Sequence, residues 1–338
     1  MTTYKGINGF AVQSVASDPS PLDEGQVWYN NATYAFKLAG IQVAAWASGG
    51  NLNNSKFRNT NTGTQTAALS IAGDLYPTPG ARFSNQTELY NGTAWTNGNT
   101  LNTARSGTGG AGTQTASLAA GGYGGPGSTQ LSDNEIWNGT SWTTSPGSLN
   151  TARTEMGYSG ISTAALLWGG STATPTEIIQ NAVESWNGTS WTSLTNFPSA
   201  RKNVACAGTQ TAALSSGGDT SNNGTGINAT TFSYNGSTWT TVNSLNVARS
   251  QAAGFGTQTA ALNASGYTGP TYPNSTELWN GTSWTTSPAT IALTRSTAGG
   301  AGTQTSGVID GGFLGPTFTN ATEEWTDNTV ATKTITTS

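Results

Sequence analysis

An internal repeat constrains this chain more than any other feature. Trp46, Trp95, Trp142, Trp191, Trp239 and Trp284 follow one another at spacings of 49, 47, 49, 48 and 45 residues. Ten or eleven positions after each stands a basic residue: Lys56, Arg105, Arg153, Arg201, Arg249 and Arg295. Seven positions further comes a glycine, at Gly63, Gly112, Gly160, Gly208, Gly256 and Gly302. Chance does not hold a seven-residue offset six times. A period of this length marks an architecture in which one supersecondary unit is copied, and each copy buries its apolar surface against its neighbours.

The unit reads as four short strands, here A to D. Strand A runs from the basic residue through a Gly/Ala/Ser stretch, as in residues 105–111. It ends at Gly-Thr-Gln-Thr in five units and at Gly160-Ile-Ser-Thr in the other. Strand B is an apolar run ending in a Gly pair: Gly121–Gly122, Gly169–Gly170, Gly217–Gly218 and Gly311–Gly312, with Ala72–Gly73 and Ser265–Gly266 as departures. Strand C alternates toward an aromatic at Tyr90, Trp137, Trp186, Tyr234, Trp279 or Trp325, and strand D carries the next landmark Trp. Between C and D, Asn-Gly recurs at Asn91, Asn138, Asn187, Asn235 and Asn280. It is a strong hairpin signal, because both turn residues tolerate φ > 0.

The order Gly-Gly, aromatic, Trp, basic residue resembles the kelch repeat, over residues 44–327. The resemblance implies an all-β fold: a six-bladed kelch-like β-propeller of four-stranded antiparallel blades. The first D strand, at Trp46, has no preceding A, B or C, and the last unit, from Arg295 to Trp325, has no Trp in the D position. Pairing of N- and C-terminal strands would therefore close the ring. Residues 1–43 form an N-terminal attachment segment, with a hairpin expected in Gly25-Gln-Val-Trp-Tyr-Asn-Asn-Ala-Thr-Tyr34, and residues 328–338 a C-terminal tail. Gly-Gln-Val-Trp-Tyr-Asn resembles segments near the N-termini of phage structural proteins. The Thr/Asn-rich units Gly-Thr-Gln-Thr-Ala-Ala-Leu and Trp-Asn-Gly-Thr-Ser-Trp are similar to those of phage virion proteins.

Composition narrows the function. Charged residues are 8% of the chain and the net charge is −4, spread along it, so no nucleic-acid partner is expected. The 12 Trp, 10 Tyr and 9 Phe exclude a disordered polar chain. With no His and one Cys, neither a thiolate metal site nor a Ser-His-Asp triad is available. We expect no cofactor, no metal and no catalytic residue. No apolar run reaches the length of a membrane span. Residues 1–10 lack a basic stretch followed by an apolar one, so a signal peptide is not expected and the chain would join a virion in the host cytoplasm.

Antiparallel order places the near-constant A–B and C–D turns on one face and the variable B–C and D–A loops on the other. Loops on a rigid scaffold carry recognition. The candidate ligand-binding residues are accordingly Tyr76, Arg82, Phe83, Tyr123, Tyr267, Tyr272, Phe313 and Phe318. Aromatic rings among short polar side chains suit a sugar or a partner surface, and equally suit packing of the loops on themselves. The basic landmarks and Glu88, Glu135, Glu184, Glu277 and Glu323, with Phe232 in the remaining unit, are expected on the variable side near the channel mouth. There they would brace the blades or form a cationic collar. The expected function is a non-enzymatic structural protein of a phage virion (tail fibre, tail appendage or head decoration). Other virion proteins would be its partners through the N-terminal segment, and a host surface glycan or receptor through the propeller. The alternative is a free carbohydrate- or receptor-binding propeller.

Overall fold

The computed structural model of the protein describes residues 12–75, 82–125, 129–173, 177–327 and 329–335. Among them every regular element is a strand. The chain divides into two compact units, Trp46–Trp325 and the two ends, Met1–Ala45 with Thr326–Ser338.

The larger unit is built of four-stranded sheets, each made from one copy of the repeat. The first contains Thr60–Thr64, Ala67–Ile71, Thr87–Tyr90 and Trp95–Asn97. The second contains Gly109–Gly112, Ser117–Ala120, Asn134–Trp137 and Trp142–Thr144. The third contains Gly157–Ile161, Ala164–Trp168, Val183–Trp186 and Trp191–Leu194. The fourth contains Ala205–Gly208, Ala213–Ser216, Thr231–Tyr234 and Trp239–Val242. The fifth contains Ala253–Gly256, Ala261–Ala264, Thr276–Trp279 and Trp284–Thr286. The sixth takes Gly299–Thr303, Ser306–Asp310 and Thr322–Thr326 from late in the chain and Ala45–Ser48 from its beginning. Such a set of antiparallel four-stranded sheets is the construction of a multi-bladed β-propeller.

The first strands of the sheets neighbour one another in cyclic order. A ring of main-chain hydrogen bonds lies just before them. The N–H groups of Gly107, Glu155, Asn203, Gln251, Thr297 and Arg58 donate to the carbonyls of Arg58, Gly107, Glu155, Asn203, Gln251 and Thr297, at 2.8–3.0 Å. The path returns to its start. All six residues have φ between 54° and 60°, the left-handed region, yet only Gly107 is glycine. A shared backbone geometry has been kept at five positions where an L side chain is strained.

Sequence landmarks become seams. In the five Gly-Thr-Gln-Thr units the Gln side chain donates to the carbonyl of the preceding sheet's strand C aromatic: Gln65 to Trp325, Gln114 to Tyr90, Gln210 to Trp186, Gln258 to Tyr234 and Gln304 to Trp279. Strand D tryptophans reach the first residue of the preceding strand C, as Trp142 Nε1 does to Thr87 Oγ1 at 2.8 Å and Trp284 Nε1 to Thr231 Oγ1 at 3.0 Å. The Asn-Gly turns differ from expectation, since only the glycine takes φ > 0 (Gly92 87°, Gly281 90°). Asn91 Oδ1 accepts the N–H groups of Thr93 and Ala94 at 2.9 and 2.8 Å, so the side chain itself closes the turn. At the strand B ends, Ala72 (φ 58°) and Ser265 (φ 60°) hold the backbone geometry of the first Gly of the pair.

In the smaller unit, Val27–Asn30 pairs antiparallel with Ala35–Gln42, which makes the hairpin expected there. Gln13–Val15 adds in parallel on one side and Thr329–Thr334 antiparallel on the other. The C-terminal segment is thus a strand of the leader's sheet rather than a separate tail, because its alternating Thr-Val-Ala-Thr pattern suits a sheet edge. Trp28 is fully buried and donates through Nε1 to Asp18 Oδ1 at 3.0 Å.

Candidate functional site

The B–C loops of four sheets carry the aromatic residues singled out in the sequence, and they fall into two groups. In one, the rings of Phe83 and Tyr123 meet edge to face at 5.3 Å, with the Arg82 guanidinium 5.1 Å from the first and 5.9 Å from the second. Arg82 Nε donates to Asp74 Oδ2 at 3.3 Å, and its side chain stays 51% exposed. In the other group Tyr267 lies 5.3 Å from Tyr272, Tyr272 6.1 Å from Phe313, and Phe313 5.6 Å from Phe318. Tyr76 lies outside the described residues.

Phe57, which sequence reasoning missed, extends the second group. It stacks on Phe318 at 4.6 Å with the rings 3° from parallel, and it lies 6.0 Å from Phe313. Its place directly after the basic landmark Lys56 was the available signal, since a D–A loop shares the face of the B–C loops. Main-chain bridges from Phe57 to Asp74 and from Asp74 to Phe83 join the two groups. The result is a crescent across the fifth, sixth, first and second sheets, with every ring half-buried.

The basic and acidic landmarks are not a collar. Arg105, Arg153, Arg249 and Arg295 have fully buried side chains, and so does Lys56. Arg105 Nη2 lies 2.9 Å from Glu135 Oε1, Arg249 Nη2 2.8 Å from Glu277 Oε1, and Lys56 Nζ 3.1 Å from Glu88 Oε1. Arg153 and Arg295 pair with Glu184 and Glu323. The arginines also donate to strand B carbonyls: Arg105 to Gly121 at 3.0 Å, Arg249 to Ser265 at 3.0 Å and Arg295 to Gly311 at 2.9 Å. Each Glu accepts from the D–A loop, as Glu135 Oε2 does from Asn102 N at 2.6 Å. In five of the six sheets these pairs tie strand C to the entering loop, with both partners withdrawn from water.

A separate ionic network lies on the ring of main-chain hydrogen bonds, to which Arg58, Glu155 and Asn203 belong. Gly107 has no side chain, and Arg58 crosses from the first sheet to the third to meet Glu155 at 2.9 Å. Lys202 Nζ lies 3.5 Å from Glu155 and also pairs with Glu177, while Asn203 Nδ2 donates to Glu155 at 3.0 Å. Burial works to raise the Glu155 carboxyl, but Arg58 and Lys202 outweigh it and hold it below its ordinary value. Two cavities of about 90 and 110 Å³ are lined chiefly by residues just before the first strands and by residues of those strands respectively, and Tyr158 lines both. Burial pushes the Tyr158 hydroxyl up to about 12, and likewise the thiol of half-buried Cys206, which accepts the Tyr158 N–H at 3.3 Å. Among the described residues, no three His, Cys, Asp or Glu side chains converge as a metal site would require.

No protein family and no curated protein matches the chain. Among solved structures, one titled "Structure of YjhT" superimposes with a TM-score of 0.68 at 12% identity, covering 83% of this chain and 99% of that one. The likeness is one of fold. It supports the propeller-like arrangement and carries no residue of the crescent with it.

Proposed function

We propose that this protein is a non-enzymatic recognition propeller of a phage virion, with its kelch-like units forming six blades closed by Ala45–Ser48. The crescent carries this reading. Seven aromatic residues of four sheets gather on the variable-loop face with part of each ring exposed, whereas the ionisable landmarks are consumed inside the sheets. A rigid ring that presents a broad aromatic surface is built to hold a partner. The unit made by the two chain ends supplies the attachment to other virion proteins, which the Thr/Asn/Gly-rich, weakly charged composition accompanies.

The test is composition and position. Particles from the source are purified and analysed by mass spectrometry and electron microscopy. A fixed copy number and a propeller-sized density support the virion reading. Absence of the chain from the particles overturns it and leaves a free carbohydrate- or receptor-binding propeller.

A further inference from the structure

We infer that the crescent takes a neutral oligosaccharide lying along its arc, an inference that rests on the recognition reading above. The ring surfaces are apolar, but their rims are not. Tyr123, Tyr267 and Tyr272 are half-buried, and no hydrogen bond is formed by their hydroxyls to any described residue. Arg82 uses Nε on Asp74, and half of its side chain stays exposed. Thr268 and Thr271 stand exposed or half-exposed beside Tyr267 and Tyr272, with hydroxyls 2.8 Å apart.

An apolar partner pressed onto this surface would cover those hydroxyls and the guanidinium without satisfying them, which is unfavourable. A sugar matches both features, because its C–H faces lie against rings while its hydroxyls exchange hydrogen bonds at the rims. Charge selects the class within sugars. The ion pair of the crescent, Arg82 with Asp74, is internally neutral, and among the described residues no further Lys or Arg contacts its rings apart from Arg58. That guanidinium lies 5.6 Å from Phe57 and is committed to Glu155. The arc favours an extended ligand over a compact one, since its rings follow one another across four sheets rather than enclosing a pocket.

The full chain would be titrated with neutral gluco-, manno- and galacto-oligosaccharides and with sialylated and uronate-containing ones, with saturation-transfer NMR reporting the sugar protons in contact. The expected result is contact with a neutral oligosaccharide. Tyr272→Ala and Phe83→Ala should each weaken it about tenfold or more, and Tyr272→Phe much less. An unchanged thermal midpoint in each variant would show that the ring is intact. Binding of only the acidic sugars overturns the inference. So does silence from every sugar while the same variants lose retention on the particle's host surface; in that case the recognition reading stands and only its ligand class fails. If neither sugar binding nor surface retention responds to the variants, both readings fall.

Discussion

The Arg201 guanidinium lies 4.7 Å from the centroid of the Phe232 ring, at the position where the other five units set a carboxylate against the basic landmark. The fourth sheet has replaced a buried ion pair with a cation–π contact and kept the bond from Arg201 Nη1 to Gly217 O at 2.9 Å. Loss of solvent lowers the Arg201 pKa to about 10. Removing the cation should therefore have different consequences in different sheets. Arg249→Met strands the buried Glu277 and should cost about 3–5 kcal/mol. Arg201→Met strands no anion and should cost about 1–2 kcal/mol, the worth of a desolvated cation–π contact. Urea denaturation midpoints of the two variants check the difference.

Trp239 Nε1 is buried without a partner, whereas Trp46, Trp95, Trp142 and Trp284 each donate to a Thr hydroxyl and Trp191 to Asn134. The equivalent position for Trp239 is Val183, at 1% exposure. Val183→Thr supplies the missing acceptor at nearly constant volume. It should stabilise the protein by about 1 kcal/mol, and the indole N–H resonance of Trp239 should shift downfield. The same change at buried Val308 has no waiting donor and should destabilise.

The third unit reads Gly-Ile-Ser-Thr, so Ser162 replaces the Gln that elsewhere stitches a sheet to its predecessor. Ile161 is 54% exposed on that turn. Ser162→Gln should bring an amide to the Trp137 carbonyl and add about 0.5–1.5 kcal/mol. Hydrogen exchange at the junction of the second and third sheets would slow if the stitch forms.

Asp310 is fully buried where the sixth sheet meets the first, accepting from Asn59 Nδ2 at 2.7 Å, from Ser70 Oγ at 3.1 Å and from Asn61. Burial raises its pKa to about 6, against the pull of Lys56 and those donors. The folded state thus holds this proton more tightly than the unfolded chain, whose Asp titrates near 3.9. The resulting stability is fully present below about pH 4 and is lost as the pH rises through about 6. Subtracting the pH–stability curve of Asp310→Asn from that of the native protein should isolate a fall across that window. Glu155, whose pKa is lowered, contributes the opposite slope at lower pH.

Much of this was legible in the sequence because repeats report geometry many times over. The seven-residue offset to glycine marks the end of strand A, where the chain takes φ > 0 at Gly63, Gly112 and Gly302. The pairing of basic residue with Glu could be read from their co-occurrence, but their burial could not. Both are charged, and only the packing of loop on sheet withdraws them from water. The left-handed ring through Arg58, Glu155 and Thr297 was invisible, because those residues avoid that conformation and nothing in their identity signals it. The strand at Thr329–Thr334 was hidden for a related reason, since its partner Ala35–Gln42 lies almost the whole chain away.

The central claim assigns recognition to one face and structural stitching to the other, and one paired comparison tests it. Phe83→Ala with Tyr272→Ala disarms the crescent, while Thr115→Ala with Thr259→Ala alters two exposed positions of the constant turns. Retention of each purified variant on isolated host-cell surfaces would be measured beside its thermal midpoint. The account predicts a loss of about tenfold or more for the crescent variant, none for the turn variant, and equal midpoints. Equal retention of the two, or loss confined to the turn variant, would contradict it.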